Sequence, residues 1–238
     1  FFISSLAGLL WLAFSTPHER ALEASEGGLD RRARFDAGLC SLLGGVLGSR
    51  MAFVLAHLGY YISRPAEIFQ LWEGGLSWFG AAIGALLALY IYGLISKASF
   101  WDLADALAPP AAMLSLGMWI GCQFDHCAYG VGDQTGPLAI VSADIFGVIM
   151  PRWPTQVVGA VCSALLLIGV ILLRDRFPRS GVLASLTLLL LAGMTLLLSL
   201  TRGDPVGALW GLRLDTLGSA IILTAATVAL ALRIWRRS

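Results

Sequence analysis

Apolar residues run through this chain in blocks long enough to be helical spans, separated by short polar, glycine- and proline-rich stretches. Seven blocks predict membrane helices at 1–14, 37–58, 74–95, 106–122, 154–173, 181–200 and 217–234, each judged against the roughly 20 apolar residues that cross a hydrocarbon core. The first block starts at Phe1 without a methionine and reads as a span cut short at its N-terminal side. A cleaved signal peptide is the rival reading, but a basic leading region and a small-residue cleavage site are not visible there.

Composition strengthens this picture. Of 238 residues, 58% are apolar and 13% charged, and the mean hydropathy is +0.80, far from the roughly 25% charged of soluble domains. The expected fold is an all-α integral membrane protein of about seven transmembrane helices. Lys and Arg distribute unevenly over alternate connections: eleven lie on one side, while Arg64, Arg152, Arg202 and Arg213 lie on the other and Arg50 falls within a span. Cytoplasmic segments carry the excess, so the C-terminus is expected in the cytoplasm and the N-terminus outside. A net charge of +1 and no basic, aromatic-interleaved surface leave no reason to expect nucleic acid.

No repeat and no long linker divide the chain, which reads as a single polytopic domain over 1–238. The segment "PHERALEASEGGLDRRARF" (17–35) reads as a cytoplasmic connection of helix and turn. Gly80 with Gly84 and Gly117 with Gly121 have the spacing of helix-packing small residues. Residues 59–73, 123–153 and 201–216 fall on the outer face under the charge-derived orientation, so a site built from them opens outward. The longest, 123–153, exceeds ordinary loop length and is expected to form its own small structure or to cover something; "GPLAIV" within it is a candidate short strand.

Several side chains carry candidate chemistry. Arg50 is costly inside a span, by about 2.5–3.5 kcal/mol near a helix centre, so it should face the bundle interior and either hold an ion pair or bind an anionic group. His57 follows two turns later near the same face. Arg202 opens "TRGDPVGALWGLR", where a guanidinium can take phosphate oxygens bidentately; Asp204 is its rival partner. Cys122, Asp125, His126 and Cys127 cluster after the fourth span. Zinc lacks a fourth ligand there, a Cys122–Cys127 disulfide suits an oxidising face, and free buried thiols are the favoured reading. In "PRWPTQ", Pro154 opens a helix, Thr155 reads as a cap, and Thr155 and Gln156 are hydrogen-bonding groups at its mouth.

Together the stretches "GSR", "YY", "P.EIF..WEGGLS.FG", "IGC....C.YG", "RWPTQ" and "RGDPV...GLR" resemble the prolipoprotein diacylglyceryl transferase family over residues 37–216. The resemblance implies a bacterial plasma (inner) membrane enzyme with its site facing outward. It would move a diacylglyceryl group from phosphatidylglycerol, or a similar anionic phospholipid, to the thiol of a lipobox-containing prolipoprotein. It implies Arg50, Arg202 and Glu73 as catalytic residues, and Tyr60, Tyr61, Gly74, Gly75, Ser77, Gly130 and Gln156 as substrate-binding ones. No cofactor and no metal are implied. "WEGGLS" would then be a rim where glycines let backbone approach a lipid head group.

The chain also departs from that family. Phe79 stands where a histidine, a candidate base, is usual. Met118-Trp119 replaces an arginine-containing pair, and Trp153 and Gly159 replace a histidine and a glutamate. A catalytically degenerate relative that binds lipid or lipoprotein precursor is therefore the alternative reading. A retinal protein fails because the single lysine, Lys97, lies outside the last helix. A small-solute transporter is a lesser alternative: Pro109-Pro110 interrupts one span, but no matching half is seen.

Overall fold

The computed structural model describes residues 2–15, 30–132, 136–177 and 179–235. Most of the predicted 17–35 connection lies outside the described residues. Among the described residues six helices are long and apolar enough to cross a membrane: α2 (Arg31–Ala56), α4 (Trp78–Ser96), α5 (Phe100–Phe124), α6 (Thr155–Leu173), α7 (Val182–Ser199) and α8 (Leu214–Trp235). The first predicted span is α1 (Phe2–Phe14), an apolar helix of 13 residues. Between α2 and α4 lie the short helix α3 (Leu58–Ser63) and two 3-10 turns, Pro65–Phe69 and Leu71–Glu73. Strands β1 (Ile140–Ala143) and β2 (Ile149–Arg152) form one antiparallel hairpin, β3 (Ala208–Leu209) and β4 (Leu212–Arg213) another. The protein is a multi-pass, essentially all-α membrane protein.

The helices are patterned for lipid. On α2, Leu39, Leu43, Leu47, Met51 and Leu55 recur every fourth residue and are exposed, whereas Ser41, Gly45, Ser49 and Arg50 are buried. On α6, Val157, Val161, Leu165, Ile168 and Leu172 face outward while Thr155, Gln156, Gly159 and Ser163 are buried. Leucines outward and glycines and hydroxyls inward is the arrangement expected where lipid tails, not water, solvate the outer surface.

The chain divides into two compact units, Leu9–Leu107 and Phe1–Gly8 with Ala108–Ser238. In the first, α2 and α4 pack backbone to backbone. A Cβ on Gly48 would lie 2.5 Å from the Gly80 carbonyl oxygen and 2.8 Å from Gly84 Cα, and one on Gly44 would lie 2.6 Å from the Gly84 oxygen. The Gly80/Gly84 spacing thus finds its partner in Gly44 and Gly48 of "LLGGVLGSR". Gly84→Val is expected to force the helices apart and to lower stability by about 1–3 kcal/mol, read as a reduced melting temperature in detergent; an unchanged transition would refute this contact.

The second unit is glued by hydroxyls. Ser115 meets Ser163 Oγ at 2.8 Å, and Ser199 Oγ meets Thr216 Oγ1 at 2.9 Å; Ser163, Ser199 and Ser219 are almost fully buried. A Cβ on Gly117 would collide with Ser4, whereas one on Gly121 would meet no packed neighbour within 4 Å, so only one of that predicted pair is a packing glycine. Pro109 and Pro110 lie inside α5 and do not break it. Two missing N–H groups cost two ladder bonds, which a 25-residue helix absorbs among packed neighbours.

The predicted strand "GPLAIV" is realised only in part, as β1 begins at Ile140 and pairs with β2 in the register Ile140 to Arg152 and Ala143 to Ile149. Asp144 closes the turn. Its Oδ1 accepts the N–H groups of Phe146 and Val148 at 2.9 Å each, and its Oδ2 accepts Arg152 Nη2 at 2.8 Å.

Candidate functional site

In the first unit the predicted site residues converge on Arg50. Its side chain is buried, and all five N–H donors of the guanidinium meet main-chain carbonyls. Nε donates to Ile68 O at 2.9 Å, Nη1 to Gly74 O at 2.7 Å and Gly75 O at 3.2 Å, and Nη2 to Glu67 O at 2.6 Å and Gln70 O at 3.2 Å. The segment 67–75 is therefore wound around one cation. Such winding needs Gly74 and Gly75, with φ of 84° and 71°, a region that side chains other than glycine rarely adopt. A Cβ at Gly75 would also stand 2.8 Å from Arg50 Nη1. "WEGGLS" is not the start of a helix: α4 begins at Trp78, with buried Ser77 as its cap accepting from Gly80 N at 3.5 Å and its own N–H on Ser49 O at 3.2 Å.

Buried Tyr61 lies with its ring centroid 5.4 Å from the Arg50 guanidinium carbon and 5.2 Å from the half-exposed Tyr60 ring. Tyr60 Oη donates to Glu67 Oε2 at 2.7 Å and accepts from Arg64 Nη1 at 2.7 Å. Glu73 is exposed on the same loop, with the Gln70 amide nitrogen 3.0 Å from its Oε1 once the amide is turned to satisfy both groups. His57 caps α2 and sets Nδ1 2.9 Å from Phe53 O.

In the second unit the centre is Arg202. Nε and Nη2 grip the two oxygens of Asp204 at 2.8 and 2.5 Å, and Nη1 lies 3.0 Å from Asp215 Oδ2. Arg213 shares the first carboxylate, with Nη2 3.1 Å from Asp204 Oδ1, and its Nη1 donates to the carbonyls of Asp204 at 2.9 Å and Arg202 at 3.3 Å. Two arginines and two aspartates thus form a closed, neutral cluster. Burial pushes the Asp204 carboxyl up, but the Arg202 hydrogen bonds and the charges of Arg202 and Arg213 outweigh it and hold it below its ordinary value.

Because that folded-state value is depressed, the Asp204 contribution is fully present above pH 3.8, the ordinary carboxyl value, and is lost as pH falls through the lower folded value. Asp204→Asn should therefore cost about 2 kcal/mol at neutral pH, with the gap to wild type closing only in strong acid. Thermal unfolding measured from pH 7 down to the acid limit checks this; a gap that closes near pH 6 would contradict it.

Segment 129–132 anchors Arg202 laterally. Gly203 N donates to Tyr129 O at 2.8 Å, Val131 N to Thr201 O at 2.9 Å, and Trp153 N to Val131 O at 3.1 Å, giving bridges Gly130 to Arg202 and Gly132 to Arg152. Gly130 is required by this closeness: a Cβ there would collide with the Trp153 carbonyl and lie 2.8 Å from Thr155 Oγ1. Buried Arg152 stands 4.6 Å over the Tyr129 ring and pairs with Asp144. Thr155 does not cap α6; its hydroxyl reaches Thr201 Oγ1 at 3.2 Å and Thr201 O at 3.3 Å. Gln156 Nε2 donates to the carbonyls of Cys127 at 2.8 Å and Cys122 at 3.3 Å.

Cys122 and Cys127 are joined as a disulfide, correcting the expectation of free thiols. α5 ends at Phe124, and His126 and Ala128 at φ of 54° and 51° turn the chain back, which brings the two Cα atoms to 4.6 Å. His126 and Asp125 are exposed. Among the described residues no cluster of metal-ligating side chains is present.

A family model described as prolipoprotein diacylglyceryl transferase matches residues 4–232. The chain belongs to that family. Among its relatives, the phosphatidylglycerol–prolipoprotein diacylglyceryl transferase of Azoarcus sp. (strain BH72) is 31% identical over 177 residues, covering 73% of this chain and 65% of its own length. The proteins of the same name from Aromatoleum aromaticum and Pasteurella multocida are 33% identical over 180 residues and 35% over 150; they are covered to 65% and 54% of their lengths. The chain thus spans a little under two thirds of the first of these transferases.

Trp119 and Gly159 meet in space. Trp119, 2% exposed, lies flat on Gly159, where a Cβ would stand 2.5 Å from the indole Cε2 and 2.7 Å from Cε3. Arg213, Asp215 and the Arg152–Asp144 pair were not singled out as site residues. The charge alternation in "RGDP" and "LRLD" was the available signal for the first two.

Proposed function

We propose that this chain transfers the diacylglyceryl group of phosphatidylglycerol to the cysteine thiol of a prolipoprotein, the reaction in its relatives' names. The observation that carries this is the state of Arg202. Two of its five N–H donors are held by Asp204, and Nη1 forms an ion pair with Asp215 at 3.0 Å without a hydrogen bond; the remaining donors meet no hydrogen-bond acceptor among the described residues. They can take phosphate oxygens from a guanidinium already held in one plane. In the reaction a C–S bond forms as the C–O bond to phosphate breaks, the thiol proton goes to a base, and glycerol phosphate leaves. Arg202 would stabilise charge growing on the departing phosphate. Arg50 would serve by holding the loop that presents Tyr60, Glu73, Gly74, Gly75 and Ser77, since its own donors are all engaged. The Cys122–Cys127 disulfide suits an oxidising compartment and, with the arginine distribution, supports a plasma-membrane protein whose site opens outward.

The test is purified protein reconstituted with phosphatidylglycerol carrying a labelled acyl chain and a lipobox peptide, followed by mass spectrometry of the peptide cysteine. A gain of one diacylglyceryl group is the expected result. Phe79, in place of a histidine base, favours a second reading, binding without transfer. Lipid bound by folded protein with no mass gain would select it.

A further inference from the structure

We propose that Trp119 and Gln123 form a donor and acceptor pair that takes an alcohol hydroxyl of the lipid head group, and so set the preference for a hydroxylated donor lipid. The inference rests on the lipid-donor reading above and names the part of the head group these residues would select. Trp119 Nε1 is fully buried with no hydrogen-bond partner, and so is Gln123 Oε1. The two residues sit four apart on α5, hence on one face and about one turn apart, and a single hydroxyl can accept from an N–H and donate to a C=O at about 2.8 Å for each bond. Buried polar groups in folded proteins are almost always paired; an unpaired donor and an unpaired acceptor one turn apart call for one group that is both.

The surroundings fix the pair in place. Trp119 is seated on Gly159 and packed among Ala128, Leu198 and Met194. Gln123 follows Cys122, which is tied by its disulfide to Cys127 and by its carbonyl to Gln156. Neither side chain carries charge, so the pair distinguishes a head group by its hydroxyl and not by its phosphate. Alcohol chemistry of this kind is offered by the terminal glycerol of phosphatidylglycerol or by a free polyol such as glycerol.

The experiment compares binding of phosphatidylglycerol with phosphatidylpropanol, which has the same single phosphate charge and a head of the same length without hydroxyls. Binding to the whole purified protein in detergent is read by native mass spectrometry, with no peptide present. Wild type is expected to prefer phosphatidylglycerol about tenfold, the worth of roughly 1.4 kcal/mol. Trp119→Phe keeps the ring and removes the N–H, and Gln123→Met removes the acceptor; each should bring the ratio near one. Free glycerol should reduce phosphatidylglycerol binding in wild type but not in Trp119→Phe. Absence of preference in wild type, preference retained in both variants, or equal competition by glycerol in wild type and variant would overturn the proposal. Should Trp119→Phe misfold, Gln123→Met alone decides. Preference without peptide transfer would sustain this pair and remove the transferase reading; transfer with an unchanged ratio would do the reverse.

Discussion

Arg202→Ala is expected to lower the rate of diacylglyceryl transfer by about 10²–10³-fold, the cost of removing one preorganised group that meets developing charge. The arrangement around Arg202 explains why a smaller effect is not expected. Asp204 takes Nε and Nη2 together, and Asp215 takes Nη1, so the plane of the guanidinium is set before any lipid arrives. Arg202→Lys should recover little, because an ammonium cannot grip Asp204 with two parallel bonds while offering two more donors in the same plane. Alanine also leaves Asp204 and Asp215 with Arg213 as their only nearby cation among the described residues. The melting temperature should be measured beside the rate so that lost catalysis is not mistaken for lost fold. A folded Arg202→Ala protein that transfers within threefold of wild type would remove Arg202 from the chemistry.

The second large effect is expected at Arg50. Its removal orphans the carbonyls of Glu67, Ile68, Gln70, Gly74 and Gly75 at once. The carbonyls belong to half-buried or exposed residues, so the loss for each falls short of the about 1–3 kcal/mol of a fully buried orphan. The loop should open and let water and other donors take its carbonyls. Arg50→Ala is therefore expected to fold its helices yet to lose amide-exchange protection over 67–76, and Arg50→Lys to behave nearly the same, since three donors replace five. Unchanged protection in Arg50→Ala would show that the loop holds itself.

These two arginines also mark how far the sequence can be read. The long apolar runs were legible because lipid demands an unbroken stretch, and the helices that cross carry that demand in their composition. The buried position of Arg50 was legible as a cation in a costly place, Arg202 as a cation at the outer mouth of a span, and Asp204 as its partner two residues away. What the carbonyls do is invisible to a residue pattern. No side-chain type announces that five main-chain oxygens will gather on Arg50, so "WEGGLS" looked like a helix mouth when it is a loop drawn around a guanidinium. The same blindness hid the hydroxyl of Thr155, which looks like a cap in "RWPTQ" but reaches a residue 46 positions away. The disulfide was one of three open readings, decided only by the left-handed turns at His126 and Ala128. Gly159 read as a simple loss of a carboxylate until Trp119 was found lying on it.

The contacts of α1 set a schedule for biosynthesis. Ser4 packs on Gly117 and Gly8 against Pro110, partners that are made more than a hundred residues later. At about 5–20 residues per second, the Ser4–Gly8 half of α1 must wait roughly 5–20 seconds in the bilayer before the surface it fits exists, while Leu12 at its other end already has Gly38 of α2 to pack on. Through that interval it has only lipid, the translocation machinery and the early helices for company. The Ser4–Gly8 half of α1 therefore depends on synthesis running past Pro110: chains stalled before Pro110 emerges should leave that half accessible to cross-linking, and completed chains should bury it.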